Sequence, residues 1–457
     1  MEGFLHSVVN MSIFKTYDIR GVWGEELDEN SCTNLAKAIG TFCINREIPI
    51  VVLARDGRNS SPEMYEIFKQ TLLSQGINIY DVGLVPTPVF YYSVIRMNVR
   101  FGIMITASHN PKEYNGVKMC YDKALPLTYN MGISEIERIY QESAFESRDN
   151  EGNIQEVDGI AFYCEHLCNF FKAVPLNFAV DVSNGPQSLV IKKLKTEQGI
   201  TPLILNSKVD GNFPGHSPNP MKEGVMGELS RIVQDQELNF GVCFDGDGDR
   251  IAVVDEKGRK VALDSLFSLF IKYELIEKPG ETVYYDLRFS KIVEETILKY
   301  RGVPKKMRVG NPFYKEKLLK QGGVLAGELS GHIMFAKNYS IDDPVYAMLR
   351  LLEILKKEKK PLSQLLDEFG PFYKSEEINL RVEEPDKVLD KIEETFSNMK
   401  IEKIDGISVY GKDFWFNVRK SNTEPLVRLN IEADNPNILE REKEEVREII
   451  INLSQET

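Results

Sequence analysis

Apolar and polar positions fall into two kinds of pattern. Over most of the chain, short continuous apolar runs alternate with helical repeats. Ile50–Ala54 is one such run; a polar turn at Asp56 follows, and then Met64, Phe68 and Leu72 recur every four residues on one helix face. Ser61 and Pro62 suit the first turn of that helix, and Gly76 suits its end. The same order of strand, Asp-bearing turn, helix and strand recurs around Asp181 in LNFAVDVSNGPQSLVIKKLKTEQGITPLILN and around Asp286 in ETVYYDLRFSKIVEETILKYRGVPKKMRVG. The copies begin over a hundred residues apart, so the repetition is at the scale of domains. Units of this type build mainly parallel sheets with right-handed crossovers. The last stretch changes period. Glu377–Val382, Phe414–Lys420 and Val427–Ala433 alternate apolar with polar residues, as half-buried antiparallel strands do, and helical patterns flank them at about Pro385–Asn398 and Asn437–Leu453. The expected fold class is α/β: three similar α/β domains with mainly parallel sheets, at 1–155, 156–257 and 258–370, plus a smaller C-terminal α+β domain at 371–457. The lysine-rich LKKEKKPLSQ reads as a solvated linker, and no low-complexity segment stands out.

Composition narrows the partners. The 457 residues suffice for about three or four domains, and 42% hydrophobic with 27% charged residues is ordinary for a globular protein. Net charge is 56 − 69 = −13, which argues against nucleic acid or an anionic membrane as the main partner. An anionic ligand would therefore need a local basic cluster. No apolar run approaches a membrane span, and MEGFLHSVVNMSIF lacks the basic and apolar regions of a signal peptide. The six cysteines read as reduced thiols, and a cytoplasmic location is expected. Cys164, His166 and Cys168 (CEHLC) fall on a helical pattern that would turn His166 away from both cysteines, and no second ligand pair follows, so no metal is expected there.

Four stretches carry candidate chemistry. Thr106–Gly116 reads TASHNPKEYNG and follows Phe101–Ile105, whose pattern is that of a buried strand. Pro111 biases Asn110 toward extended backbone, so the chain enters a loop that holds out the Ser108 hydroxyl with the His109 imidazole beside it. A hydroxyl is a poor nucleophile without a base or a metal, and a plain polar turn stays open on this stretch alone. Phe244–Arg250 reads FDGDGDR after the apolar run Phe240–Phe244. Asp245, Asp247 and Asp249 would repel one another unless a hard cation sat among them, and the glycines let the backbone fold around it. With Glu256 the spacing matches part of a calcium EF-hand loop, but Arg250 stands where that loop needs glycine and strand-like sequence flanks it, so a three-carboxylate Mg²⁺ site is expected instead, with Arg250 facing a phosphate oxygen. Gly327–Phe335 (GELSGHIMF) alternates Glu328, Ser330 and His332; a carboxylate and a hydroxyl suit adjacent sugar hydroxyls, although a structural turn also fits. Arg419–Arg428 (RKSNTEPLVR) concentrates Arg419, Ser421, Asn422 and Thr423 in a tight loop, which makes either a phosphate cradle or a hairpin turn with exposed charge. Lys15, Tyr17 and Arg20 in FKTYDIRG, and Lys118, are basic or polar positions that fit surface roles equally well.

Taken together, TASHNP, DGDGDR, GELSGH and RKSNTEP resemble the α-D-phosphohexomutase family, over a span from about Phe14 to Ala433. The resemblance implies the four domains already read from the pattern, arranged around a central cleft. It also implies a phosphoserine at Ser108, Mg²⁺ held by Ser108, Asp245, Asp247 and Asp249, and sugar contacts from Glu328 and Ser330. By the same resemblance Arg419, Ser421, Asn422, Thr423 and Arg428 hold the distal phosphate, and Lys15, Tyr17 and Asn311 add substrate contacts. Lys118, His109 and His332 are acid–base candidates, with Arg20 and Arg250 beside the transferring phosphate. GELSGH is most similar to the GEMSGH of phosphomannomutase/phosphoglucomutase enzymes. RVGNPF departs from their TGHS-like pattern: Asn311 replaces a histidine and cannot carry a proton, and Pro312 replaces a serine. The implied activity interconverts hexose 1-phosphate and 6-phosphate, of mannose and/or glucose, through a hexose 1,6-bisphosphate, in a monomer or small homo-oligomer. A phosphoglucosamine mutase and a non-catalytic sugar-phosphate-binding protein are the alternatives.

Overall fold

The computed structural model describes residues 13–172, 174–421 and 426–455. The chain forms two compact units: residues up to Lys260 with Ile341–Glu358, and Val261–Ser340 with the residues from Lys359 onward.

The first unit holds two sheets. One runs Ile19–Val22, Tyr114–Tyr121, Phe101–Ile105, Ile50–Arg55, Asn78–Leu84, Ile154–Glu156 in spatial order, with Leu125–Pro126 beside Tyr114–Tyr121. The four strands from Phe101–Ile105 onward are parallel, and the other pairings are antiparallel. The second sheet runs Ile251–Asp255, Phe240–Phe244, Phe178–Asp181, Leu203–Leu205, with only the first pair antiparallel. In the second unit, Val303–Met307, Thr282–Asp286 and Leu325–Gly327 are parallel, and Ile333–Phe335 closes that sheet antiparallel. The last sheet, built on Phe414–Lys420 and Leu426–Ala433, is antiparallel throughout, and the helices Pro385–Thr395 and Pro436–Gln455 accompany it. Three α/β domains and one α+β domain are thus present, and each parallel sheet gains an antiparallel edge that a strand–helix–strand reading does not predict.

The recurring aspartates share one geometry. Asp56 directly follows Ile50–Arg55, while Asp181 and Asp286 end their strands. Each accepts a hydrogen bond from the backbone N–H two residues on: Arg58 at 3.0 Å, Ser183 at 2.9 Å and Arg288 at 2.9 Å. This local acceptor turns the chain out of the strand and into the next helix.

The stretch LKKEKKPLSQ contains a boundary between the two units, at Glu358 and Lys359, and is helical on either side of it. Its first residues finish the helix Pro344–Glu358, its last begin Leu362–Leu366, and Leu355, Leu362 and Ser363 are buried while Lys356, Lys357, Lys359 and Lys360 face water. Lys356 and Lys357 lie on the outer face of the first helix, and Lys359 and Lys360 between the two helices. The helix Pro344–Glu358 lies in the span expected for the third domain and packs in the first unit. There the Tyr163 hydroxyl donates to Asp343 at 2.7 Å and the Tyr346 ring meets Phe171 edge-on at 4.8 Å. On the helix Gly159–Phe170, His166 stacks on Tyr92 at 4.5 Å while the Cys164 thiol faces the Val190 carbonyl.

Gly116 sets the seam between Ile19–Val22 and Tyr114–Tyr121. It stands opposite Arg20, and a methyl group on it would lie 2.1 Å from the Ile19 carbonyl oxygen. Gly116→Ala should therefore cost about 1–3 kcal/mol by forcing the two strands apart. Urea unfolding of the full chain measures this, and an unchanged midpoint contradicts it.

Candidate active site

The serine loop joins two antiparallel strands and is held from beneath by one side chain. Arg58, fully buried, sends Nη2 to the carbonyls of Ser108 (2.8 Å) and Asn110 (2.7 Å), and Nη1 to those of Pro111 (2.7 Å) and Tyr114 (3.0 Å). Its Nε donates to Asp56 at 3.1 Å, and the same carboxylate accepts from the Ser61 hydroxyl at 2.5 Å. Planar guanidinium geometry makes this possible; an ammonium has too few donors in too compact a space. Ser108 is left in the left-handed region, φ +55°, with its N–H bonded to Thr106 Oγ1 at 2.9 Å. Its Oγ lies 3.2 Å from His109 Nδ1. The positive charge of Arg250 and burial, helped by Arg20 and Lys118, hold His109 well below the usual histidine range, so the ring is neutral near pH 7. Arg20 donates to Asn110 Oδ1 at 2.5 Å, and Lys15 and Tyr17 sit half-buried in the turn before its strand.

The three aspartates of DGDGDR are completely buried, and one oxygen from each lies within 4.8 Å of the others. Asp245 Oδ1 accepts the N–H groups of Asp249 (2.9 Å) and Arg250 (3.1 Å); Asp247 Oδ2 accepts Thr87 Oγ1 (2.9 Å), Thr106 Oγ1 (3.2 Å) and Lys118 Nζ (2.7 Å). Lys118 Nζ also meets Asp249 Oδ2 at 2.5 Å. Burial opposes the charge on Lys118, but the Asp247 and Asp249 carboxylates outweigh it and keep the ammonium protonated. Burial and the two neighbouring carboxylates push Asp245 well above the usual carboxylate range. Asp245 Oδ2 and Asp247 Oδ1 have no hydrogen-bond donor among the described residues. Buried, donor-free carboxylate oxygens converging in this way fit a hard divalent cation. The loop also touches the serine loop: a methyl on Gly246 would lie 2.9 Å from the Ser108 carbonyl oxygen.

In the second unit, Asp286 fixes Arg288 through both side chain and backbone and accepts Leu329 N at 3.1 Å, so it supports the sugar-loop candidate GELSGH. Glu328 Oε1 accepts the Ser330 hydroxyl at 2.8 Å; Oε2 is buried with no donor among the described residues. His332 is buried on the same loop. Asn311 opens the helix Asn311–Gln321, with Pro312 in its first turn, where a missing N–H costs nothing. Arg419 and Arg428 stand on paired strands, and both reach Glu377, at 2.8 and 3.2 Å. Ser421 donates its N–H to Leu426 O at 3.0 Å, while Asn422 and Thr423 lie outside the described residues.

Arg58, Arg288, Glu377 and Thr87 are functional neighbours that sequence reasoning missed. For two of them a signal existed: Asp56-x-Arg58 and Asp286-x-Arg288 occupy the same place in two of the repeated units. Nothing local marks Glu377 or Thr87.

Comparisons with known proteins follow the same division. Family models described as phosphoglucomutase/phosphomannomutase alpha/beta/alpha domains I, II and III match residues 11–147, 161–258 and 263–372, and the C-terminal domain model matches 377–449. A phosphomannomutase of Methanocaldococcus jannaschii is 38% identical over 450 residues, covering 97% of this chain and 98% of that one. A phosphomannomutase/phosphoglucomutase of Pseudomonas aeruginosa is 34% identical over 438 residues, 94% of each. The crystal structure of a phosphoglucomutase/phosphomannomutase family protein from Burkholderia thailandensis superposes with a TM-score of 0.89 at 31% identity, covering 96% of this chain and 97% of that one.

Arg58→Ala would leave the buried Asp56 carboxylate without its counter-charge, though still bonded to Ser61 and the backbone, and four loop carbonyls without their donor. A loss of about 3–5 kcal/mol is expected, as when one partner of a buried ion pair is removed. Denaturation of the full chain checks this; a loss under about 1 kcal/mol, the worth of one ordinary hydrogen bond, would show that the loop holds itself.

Proposed function

The chain belongs to the phosphoglucomutase/phosphomannomutase family, and from that membership we propose that it interconverts the 1- and 6-phosphates of mannose and glucose through a phosphoserine at Ser108. The observation that carries this reading is Ser108 itself, held at φ +55° on an Arg58-clamped loop against a loop of three buried aspartates.

The phosphoryl group on Ser108 Oγ is transferred to the free hydroxyl of a hexose monophosphate. The new bond forms between the sugar oxygen and phosphorus, the P–Oγ bond breaks, and the sugar proton leaves to a nearby base. The hexose 1,6-bisphosphate then returns its other phosphate to Ser108. His109 Nδ1 lies 3.2 Å from Oγ, which places it among the candidates to take or relay that proton. Lys118, whose ammonium meets both Asp247 and Asp249, stays an acid–base candidate beside the metal site. Arg20 and Arg250 flank His109 and oppose the negative charge of the group in flight. Asp245, Asp247 and Asp249, with the Ser108 phosphate, would hold Mg²⁺, which when bound neutralises charge on the phosphoryl oxygens. Glu328 and Ser330 would grip sugar hydroxyls, with His332 and Asn311 as neighbours and Lys15 and Tyr17 as further contacts. Arg419, Arg428, Ser421, Asn422 and Thr423 would take the non-reacting phosphate. Six cysteines outside any disulfide among the described residues fit a reducing compartment such as the cytoplasm. No helix among the described residues is long and apolar enough to cross a membrane.

Ser108→Ala should lower turnover by several orders of magnitude, as loss of a covalent group carrier does, while the fold persists. Intact mass of the purified wild type should show one phosphate that the variant lacks. A variant keeping a tenth or more of the activity would overturn the phosphoserine assignment. Metal-stripped protein should be inactive and recover with Mg²⁺, and Asp247→Asn should weaken Mg²⁺ binding in calorimetry without unfolding. Full activity after stripping would refute the carboxylate site.

A further inference from the structure

Glu377 solves an electrostatic problem that the fold creates. Arg419 on Phe414–Lys420 and Arg428 on Leu426–Ala433 are directly opposite in an antiparallel pair. Like charges in that position repel and weaken a sheet. The Glu377 carboxylate bridges them, with Oε2 accepting from Arg419 Nη2 at 2.8 Å and Oε1 from Arg428 Nη1 at 3.2 Å. Asn430, two residues beyond Arg428 and so on the same face, donates to Oε2 at 3.4 Å, and Arg288 Nη1 approaches within 3.5 Å. Arg288 is also anchored by Asp286 and lies 3.6 Å from Glu328, which ties the arginine pair to the GELSGH loop of the same unit.

Glu377 uses only part of each arginine. Arg419 is 5% exposed, and its Nε, like that of Arg428, is buried with no acceptor among the described residues. Two adjacent guanidinium groups with donors left over after their carboxylate is satisfied are arranged for a second oxyanion, and a phosphate matches their fork geometry.

We propose that Glu377 is a positioning residue for substrate recognition: it holds Arg419 and Arg428 side by side against their repulsion, so that their remaining donors receive the non-reacting phosphate. The identity of that ligand rests on the mutase reading. A carboxylate is required, because the amide of glutamine would turn an N–H₂ toward one of the two guanidinium groups.

The test is Glu377→Gln in the full chain, with Glu377→Asp beside it. For Glu377→Gln, KM for glucose 1-phosphate and mannose 1-phosphate should rise about tenfold, the scale of one charge-assisted contact, while kcat changes less than about threefold. Inorganic phosphate should bind more weakly by a similar factor in calorimetry. Glu377→Asp keeps the charge, so its KM should stay within about threefold of wild type, and it serves if the glutamine variant does not fold. An unchanged KM and phosphate affinity, or an equal loss with aspartate, would overturn the proposal. So would a fall in KM, which would make Glu377 a mask over the arginines. If the wild type turns over no hexose phosphate, the mutase reading fails, and the phosphate titration still decides the role of Glu377.

Discussion

A pair of parallel strands needs a crossover of a dozen or more residues, whereas an antiparallel pair closes with a few. The four principal stretches of candidate chemistry use that difference. TASHNPKE joins Phe101–Ile105 to Tyr114–Tyr121, DGDGDR joins Phe240–Phe244 to Ile251–Asp255, and ELSGH joins Leu325–Gly327 to Ile333–Phe335. The fourth, around Ser421, lies between Phe414–Lys420 and Leu426–Ala433. Short closure leaves the first three loops little freedom, and the adjoining parallel strand removes more. Asp56 acts through Arg58 on the serine loop, Ser183 beside Asp181 donates to the Phe244 carbonyl at the root of the metal-site loop, and Asp286 accepts Leu329 N of the sugar loop. One local device, an aspartate that turns the chain out of a strand, thus supports the neighbouring hairpin three times.

Charge at these loops is balanced locally. Lys118 answers Asp247 and Asp249 in the first unit, and Glu377 answers Arg419 and Arg428 in the second. In both places at least part of the excess charge is buried and some of its polar atoms have no protein partner among the described residues. Such groups are costly unless a ligand of opposite sign completes them. A net charge of −13 therefore coexists with recognition of anionic sugars, because the relevant field is set over a few ångströms and not over the whole surface.

What was legible in the sequence was what depends on local pattern. Phe101–Ile105 and Phe240–Phe244 have the observed bounds, because a fully apolar run between polar turns has one reading once its length is short. The Asp turns were legible because their hydrogen bonds reach only two residues. The antiparallel edges were not, since pairing direction is set by partners far along the chain. Arg58 and Glu377 were missed for the same reason: their partners lie 50 to 53 residues away for Ser108, Asn110 and Pro111, and 42 to 53 for Arg419, Arg428 and Asn430. The lysines of LKKEKKPLSQ marked a crossing between the two units but not the helices on either side of it, because solvated charge looks alike on a linker and on the outer face of a helix.

The first unit is discontinuous, since Ile341–Glu358 returns to it after Val261–Ser340 has gone elsewhere. On the ribosome this imposes a delay. When Lys260 has been made, the partners of Asp343 and Tyr346 on Gly159–Phe170 and at Phe171 already exist, but the helix they receive does not. At ordinary translation speeds its arrival takes on the order of 5–20 s, much longer than the folding of most small domains. For that interval the nascent first unit carries an open apolar seam beside Tyr163 and Phe171. It can be completed only after the strands of the following domain have emerged, which makes that domain the timekeeper for the one before it.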